Sequence, residues 1–266
     1  MVDLNPISAW RRFLARPNDN RTKTVVIAFL VSAGCALMVS GATVILRPIQ
    51  AANRAAEQQA RLEALIAGIP GMSDLLSESG GTLSTVVINL KTGRAAKEVT
   101  PQTLPTALDD PKNWTTLPAE QDIAGLTRRP DFAQIFLLRD AAGEISVAIL
   151  PIAGRGFQGP IDAILAMQAD MTTIAGLSIT NQVETPGLGG RIVEPQFLRR
   201  FPGVKVADED GRVRVAVVRG APGNAFEVEG ITGATRTSNA MSQILKFWAG
   251  PAGYGQFFDS VKAGEF

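Results

Sequence analysis

The chain has 266 residues, 45% of them hydrophobic and 19% charged, a composition too apolar for a disordered chain and sufficient for one domain of ordinary size plus additional segments. Its 26 Lys and Arg against 25 Asp and Glu give a net charge of +1, so no overall field favours a nucleic acid, and no basic tract interleaved with aromatic residues suggests local binding. The absence of histidine and the single cysteine exclude Ser-His-Asp and Cys-His nucleophiles, His-containing zinc sites, four-cysteine metal sites and intrachain disulfides.

An apolar run without charged side chains extends from Val25 to Leu46 (VVIAFLVSAGCALMVSGATVIL). At about 1.5 Å per residue it is long enough to cross a hydrocarbon core of about 30 Å, so we predict a retained transmembrane helix over residues 25–46. A cleavable signal peptide is the alternative, but the run exceeds the usual apolar core of such peptides and lacks a clean A-x-A cleavage site. For Cys35, within the run, a small buried side chain is favoured over a redox or cluster-ligand role.

Basic residues are more frequent before this span than after it. Those before it are Arg11, Arg12, Arg16, Arg21 and Lys23, and those after it are Arg47, Arg54 and Arg61. This excess favours a cytoplasmic N-terminus. We therefore predict a cytoplasmic segment over residues 1–24, a helical linker over residues 47–72 and an exported domain over residues 73–266.

Beyond Gly80 the sequence alternates between strand and turn patterns. The predicted strands are TVVINL (85–90), QIFLLRD (134–140), EISVAILPI (144–152), AILAMQ (163–168), TIAGLSITNQ (173–182), RVRVAVVRG (212–220) and AFEVE (225–229). Short turns between the central strands indicate hairpins and a largely antiparallel sheet. The polar, proline-interrupted stretch 100–118 is predicted to be an ordered loop.

Two helices are predicted near the C-terminus. The first is the short segment PQFLRRF (195–201), and the second begins with Thr237 or Ser238 as N-cap. The apolar face of the second helix has the spacing i, i+3, i+4, i+7 and consists of Met241, Ile244, Leu245 and Trp248. The elements together predict the fold class α+β, as one domain behind one transmembrane helix.

The stretch EGITGATRTS (229–238) concentrates hydroxyl groups in a glycine-punctuated turn between a predicted strand and a helix N-terminus. Backbone N–H groups and the positive end of a helix dipole favour a phosphate there, although a simple capping turn has the same pattern. The related tetrad SGAT (40–43) lies in the predicted span, where small residues allow helices to approach and hydroxyls bond to the helix backbone.

A second glycine pattern, GRGFQG (154–159), matches the dinucleotide fingerprint GxGxxG. That fingerprint requires a parallel βαβ unit, whereas the surrounding pattern consists of hairpins. A glycine-rich turn is therefore the favoured interpretation.

Several stretches resemble a known family. EGITGATRTSN is similar to the flavinylation motif of FMN-binding domains. Over nearly the whole chain, the sequence resembles the C subunits of sodium-translocating NADH:quinone reductases, through VSGATVILRPIQAANR, DIAGLTRRPDFAQIFLLRD, LPIAGRGFQGPI and NQVETPGLGGRI. The G subunits of Rnf electron-transport complexes share the ETPGLG and GAT elements but resemble RPIQAAN and DIAGLTRRPDFAQIFLLRD less well.

The resemblance implies a covalent cofactor. In the family, a flavin transferase joins FMN by a phosphoester to the last Thr of the motif, which is Thr235 here, and Thr232, Gly233 and Ala234 match the residues before it. Glu229 stands where the family has Asp.

The resemblance also implies that Glu184, Thr185 and Leu188 of ETPGLG contact the isoalloxazine. The chain departs from the family nearby, since Gln158 stands where a Trp is common and Gln182 where a His is common.

The function implied is that of an electron-transfer subunit anchored in the bacterial inner membrane, with a periplasmic FMN-binding domain. Its expected partners are the other membrane subunits of the reductase, the flavin transferase and membrane lipid. No catalytic residues, metal or NADH site of its own are expected. The alternatives are an Rnf-type subunit and a flavin-free anchored assembly or binding module whose TGAT only caps a helix.

Overall fold

The structure is a computed structural model and describes residues 10–11, 13–15, 17, 20–41, 46 and 82–266. The chain divides into two compact units, Met1–Glu63 and Ala64–Phe266. The predicted linker 47–72 lies outside the described residues, and so do Ala42 and Thr43 of the SGAT tetrad.

The first unit contains an apolar helix, α1 (Arg21–Gly41), which by length and composition is able to cross a membrane. It begins before the predicted Val25, because the Asn20 side chain accepts a hydrogen bond from the Lys23 N–H (3.2 Å) in the manner of an N-cap. Most of its side chains are exposed, with Phe29 at 70%. No described residue covers Cys35 on this helix, so the choice between a small buried side chain and a redox or cluster-ligand role stays a prediction.

The second unit contains the remaining elements. In chain order they are β1 (Thr82–Asn89), α2 (Leu104–Asp109), β2 (Trp114–Thr116), β3 (Arg128–Pro130), β4 (Phe132–Arg139), β5 (Ile145–Arg155), β6 (Pro160–Gln168), β7 (Ile174–Gln182), α3 (Pro195–Leu198), β8 (Ala216–Val218), β9 (Glu227–Glu229), α4 (Thr235–Ala249) and α5 (Gly255–Lys262), with 3-10 turns at Pro111–Asn113 and Gly189–Val193.

The main sheet has five strands in the order β1-β4-β5-β6-β7, and every neighbouring pair is antiparallel. β5 and β6 lie at its centre and are buried along most of their length, which explains their nearly continuous apolar sequences. The predicted α+β fold with a largely antiparallel sheet is confirmed.

The turn between β5 and β6 contains the GRGFQG pattern. The Gly156 N–H donates to the Gly159 carbonyl at 2.7 Å, and the chain returns as an antiparallel strand. The interpretation as a glycine-rich turn is confirmed, and the dinucleotide site is excluded because no helix follows β5.

The C-terminal helices are joined to β5 by side-chain hydrogen bonds. Trp248 Nε1 donates to the Ala153 carbonyl and the Tyr254 hydroxyl donates to the Pro151 carbonyl, both at 2.6 Å. The predicted core face of α4 is confirmed, since its four apolar residues, Met241, Ile244, Leu245 and Trp248, are all buried. This packing fixes the orientation of α4 and so the position of its N-terminus.

The start of α4 differs from the prediction. The helix begins at Thr235, its N-cap is Ala234, and no side chain caps it. Thr237 and Ser238 are buried in the first turn instead, where Ser238 Oγ accepts a hydrogen bond from the Ile231 N–H at 3.1 Å. The N-cap prediction is wrong because both hydroxyls have tertiary partners.

Short elements account for the other differences. The stretch 100–118 is ordered, but it contains α2, a 3-10 turn and β2, and β2 pairs with β3, which the sequence pattern did not reveal. Strands β8 and β9 are shorter than predicted and pair in parallel. Three-residue strands carry too few side chains for a recognisable period.

Candidate functional site

A cleft of about 350 Å³ lies at the N-terminus of α4, where three segments meet. It is lined by Phe157 from the β5–β6 turn, by residues of the loop after β7 (Glu184, Thr185, Leu188 and Gly189) and by residues 233–237. We call it the Leu188 cleft. Its volume lies within the range of small-molecule sites, roughly 300–1,000 Å³.

Glu184 ties these three segments together. Its carboxylate accepts a hydrogen bond from the Thr237 hydroxyl at 2.6 Å and another from the Gln158 N–H at 3.0 Å. The side chain is 4% exposed, so Glu184 is not a solvated loop carboxylate. A buried carboxylate requires such donors, because an unpaired one is costly to bury.

Two glycines leave room for this carboxylate. A Cβ atom at Gly156 would run into Glu184 Oε1, and one at Gly189 would run into the Thr237 hydroxyl and lie 2.6 Å from Glu184 Oε2. The second glycine of GRGFQG and the last-but-one glycine of ETPGLGG therefore serve the same buried group. A Cβ at either position would have to displace the carboxylate.

Thr235 is the first residue of α4 and is exposed. Gly233, two residues before it, has φ +85°, a conformation that favours glycine, and the Ala234 N–H donates to the Ile231 carbonyl at 3.0 Å. The GAT motif thus forms a tight turn that delivers the Thr235 hydroxyl to the surface. Exposed Thr232 lies in the same turn.

Thr235 also lines a second cleft, of about 240 Å³, together with Arg219, Gly230, Ile231, Thr232 and Ser238 among others. We call it the Arg219 cleft. Thr235 and Gly233 are shared by the two clefts, so Thr235 is an exposed residue between them. Such exposure suits a residue that another protein modifies.

Arg200 holds the first residues of the EGITGATRTS stretch in place. This arginine was not among the residues predicted from the sequence. Arg200 Nη1 donates to the carbonyls of Glu229 (2.9 Å) and Gly230 (3.2 Å) and lies 3.5 Å from the Glu229 carboxylate. Glu229 therefore pairs within the protein, at the position where the family has Asp. No local signal in the sequence linked Arg200 to this loop.

Gln158 and Gln182, which stand where Trp and His are common in the family, both form hydrogen bonds with Glu184. Gln158 contributes its backbone N–H to Glu184 and does not line the Leu188 cleft, where the aromatic surface comes from Phe157, 47% exposed. Gln182 accepts the Glu184 N–H on its side-chain oxygen at 2.6 Å, which stabilises the loop. The Arg236 guanidinium lies 4.7 Å from the centre of the Phe157 ring; this pair was not predicted from the sequence.

The structure brings together all seven residues predicted for the site. Six of them line the Leu188 cleft, namely Glu184, Thr185, Leu188, Gly233, Ala234 and Thr235, and Thr232 lines the adjoining Arg219 cleft. The surroundings fit FMN. Exposed Leu188 and Phe157 offer apolar surface to a ring system, and the first N–H groups of α4, which lack intrahelical partners, favour a phosphate.

Comparisons with known proteins agree with this arrangement. The model of the FMN-binding domain family matches residues 156–250. The chain is 31% identical over 250 residues to the C subunit of the Na(+)-translocating NADH-quinone reductase of Pasteurella multocida, covering 92% of this chain and 96% of the relative. It is 33% identical over 257 residues to the protein of the same name from Yersinia pestis, covering 94% and 96%.

A solved structure is similar as well. The crystal structure of Shewanella oneidensis NqrC superposes with a TM-score of 0.63 at 28% sequence identity, covering 72% of this chain and 88% of that chain. The likeness thus extends beyond the segment that the family model matches.

Proposed function

The chain belongs to the family of the C subunits of Na(+)-translocating NADH-quinone reductases, and from this we propose that it is an electron-transfer subunit with FMN joined by a phosphoester to Thr235. The observation that carries the proposal is the Leu188 cleft, where the ETPGLG loop meets the GAT turn. When bound, FMN supplies the redox chemistry, and the protein holds it and limits its contact with solvent.

We assign the residues of the cleft as follows. Thr235 provides the hydroxyl for the phosphoester, at a helix N-terminus that stabilises the remaining phosphate charge. Leu188 and Thr185 lie beside the ring, and Glu184 positions the loop and the first turn of α4 through its bonds to Gln158 and Thr237. The proposed partners are the other subunits of the reductase, a flavin transferase and membrane lipid.

The in-gel fluorescence of the denatured full-length chain tests the proposal, because a covalent flavin stays with the protein band. We expect a fluorescent band when the chain is expressed with a flavin transferase and none without it. Absence of the band in both cases would favour a flavin-free anchored module. An Rnf-type subunit would also fluoresce, but it would copurify with Rnf subunits instead of NADH:quinone reductase subunits.

We further propose that α1 anchors the chain in the bacterial inner membrane and that residues after Pro48 are periplasmic. Basic residues are more numerous before the span than after it, which favours this orientation. A reporter enzyme that works only after export, fused after Phe266, is expected to be active. Activity of a reporter that works only in the cytoplasm, fused at the same point, would contradict the orientation.

Replacing Leu188 by Asp is expected to change the flavin spectrum and potential without preventing attachment. Leu188 is 48% exposed and lines the cleft, so the substitution leaves the core intact and adds a charge beside the ring. Val193→Asp is the matched control, since Val193 is 44% exposed and does not line the cleft. An unchanged spectrum and potential in Leu188→Asp would remove this residue from the site.

A further inference from the structure

The pair formed by Arg236 and Phe157 has no counterpart in the sequence motifs. Phe157 belongs to the β5–β6 turn, whereas Arg236 follows Thr235 in the first turn of α4. The guanidinium lies 4.7 Å from the centre of the ring, a cation–π distance, and both residues line the Leu188 cleft. The contact therefore joins the β5–β6 turn to the first turn of α4 at one side of the cleft.

The positive charge of Arg236 is not paired with a carboxylate of any described residue. Within the part of the chain that the structure describes, each ion pair joins other residues, and no carboxylate lies within 4 Å of its guanidinium. Some other arginines of the domain have their charge paired, such as Arg94 with Glu265 (2.8 Å) and Arg191 with Glu194 (3.1 Å). Arg236 is thus held at the cleft by an aromatic ring, which leaves its charge available to a ligand.

The charge balance of the cleft indicates what that ligand is. The cleft contains one carboxylate, Glu184, whose oxygens already accept bonds from Gln158 and Thr237, and one cation, Arg236. Adding one electron to a flavin in this cleft adds one more negative charge, beside the carboxylate and the phosphate, unless a proton follows. A cation a few ångströms away stabilises that charge, and stabilises the uncharged oxidised ring much less.

We propose that Arg236, oriented by Phe157, is a positioning and potential-tuning residue that favours the reduced state of the flavin on Thr235. The inference rests on the proposed function. In the step concerned, a reduced redox centre of a partner subunit loses one electron and the flavin gains it, and no bond is formed or broken. Phe157 lines the cleft and keeps the Arg236 guanidinium there, and Arg236 supplies the charge.

The test is a potentiometric titration of the flavinylated full-length chain in detergent, with attachment measured separately by in-gel fluorescence. At low salt, Arg236→Gln is expected to lower the equilibrium constant for one-electron reduction by roughly tenfold, the size of a partly exposed charge interaction, which corresponds to about 59 mV. The shift is expected to shrink as the salt concentration rises. Arg236→Lys, which keeps the charge, is expected to retain most of the wild-type potential.

Arg128→Gln is the matched control. Arg128 is an exposed arginine whose guanidinium also lies 4.7 Å from an aromatic ring, that of Trp114, but it lines neither cleft. Its substitution removes the same charge and the same kind of contact, and is expected to leave the flavin potential unchanged. Phe157→Leu keeps the charge of Arg236 but releases the guanidinium, so an intermediate shift is expected.

Two results would overturn the inference. One is an unchanged potential in Arg236→Gln at low salt, or a shift equal to that of Arg128→Gln. The other is loss of attachment in both Arg236→Gln and Arg236→Lys, which would make Arg236 a residue for recognition by the transferase. Failure of the proposed function is distinguishable, because the wild-type chain itself would then carry no covalent flavin.

Discussion

Thr235→Ala is expected to abolish covalent flavin while leaving a folded, membrane-inserted protein. Thr235 is exposed, its hydroxyl makes no hydrogen bond to another described residue, and alanine is well tolerated at the start of a helix. The free energy of unfolding is therefore expected to change by no more than about 0.5 kcal/mol. In-gel fluorescence measures the attached flavin, and thermal unfolding of the full-length chain checks the fold.

Mass spectrometry assigns the attachment to one hydroxyl. The tryptic peptide from Gly220 to Arg236 contains both Thr232 and Thr235, whereas Thr237 and Ser238 fall in the next peptide. Fragmentation of the first peptide is expected to locate FMN on Thr235. FMN on a peptide that lacks Thr235, or its retention in Thr235→Ala, would refute the assignment.

Neighbouring threonines provide controls for this experiment. Thr235→Ser keeps a hydroxyl at the site. Thr232→Ala removes an equally exposed threonine from the same turn and is expected to weaken recognition without eliminating the acceptor. Thr43→Ala lies in the predicted span and is expected to leave labelling intact.

Glu184→Ala is expected to destabilise the domain strongly and to reduce the attached fraction of flavin. It leaves two donors without their acceptor, the buried Thr237 hydroxyl and the part-buried Gln158 N–H. At roughly 1–3 kcal/mol for each donor left without its acceptor, the free energy of unfolding is expected to fall by about 2–6 kcal/mol. Urea unfolding of the full-length chain, followed by the fluorescence of buried Trp248, measures the loss.

Matched variants distinguish the effect of losing the hydrogen-bond acceptor at Glu184 from the effect of losing its charge. Glu184→Gln is expected to cost much less, because its amide can accept from the Gln158 N–H and donate to the Thr237 hydroxyl. Glu194→Ala, in which a half-exposed ion pair with Arg191 is lost, is expected to cost no more than about 1 kcal/mol. If Glu184→Ala were as mild as Glu194→Ala, the carboxylate would not hold the cleft together.

The hydrogen bonds of Glu184 also affect how a spectral change in a Glu184 variant is interpreted. From the resemblance alone, Glu184 is a ring contact, so Glu184→Lys is expected to alter the flavin spectrum without affecting attachment. In the structure both carboxylate oxygens are occupied and a lysine would bury an unpaired charge. A stability measurement must therefore accompany any spectral change seen in a Glu184 variant.

Local sequence determined the segments of this protein whose pattern repeats over many residues. The apolar run predicted α1, alternating and continuous apolar stretches predicted the strands of the main sheet, and the i, i+3, i+4, i+7 spacing from Met241 to Trp248 predicted the buried face of α4. These predictions succeed because each element is selected by which of its own side chains leave water. The motif resemblance added Thr235, the proposed acceptor, in the same local way.

Only the tertiary structure decided how the site is held together. Glu184 bonds to Thr237 across 53 positions and to Gln158 across 26, and the Arg236–Phe157 pair joins a helix to a distant turn. Such partners depend on how the β5–β6 turn, the loop after β7 and the start of α4 converge, which no periodicity within a single segment encodes. For the same reason Thr237, expected to cap its helix, donates to Glu184 instead, since a buried carboxylate gains more from a hydroxyl donor than an exposed helix end gains from a cap.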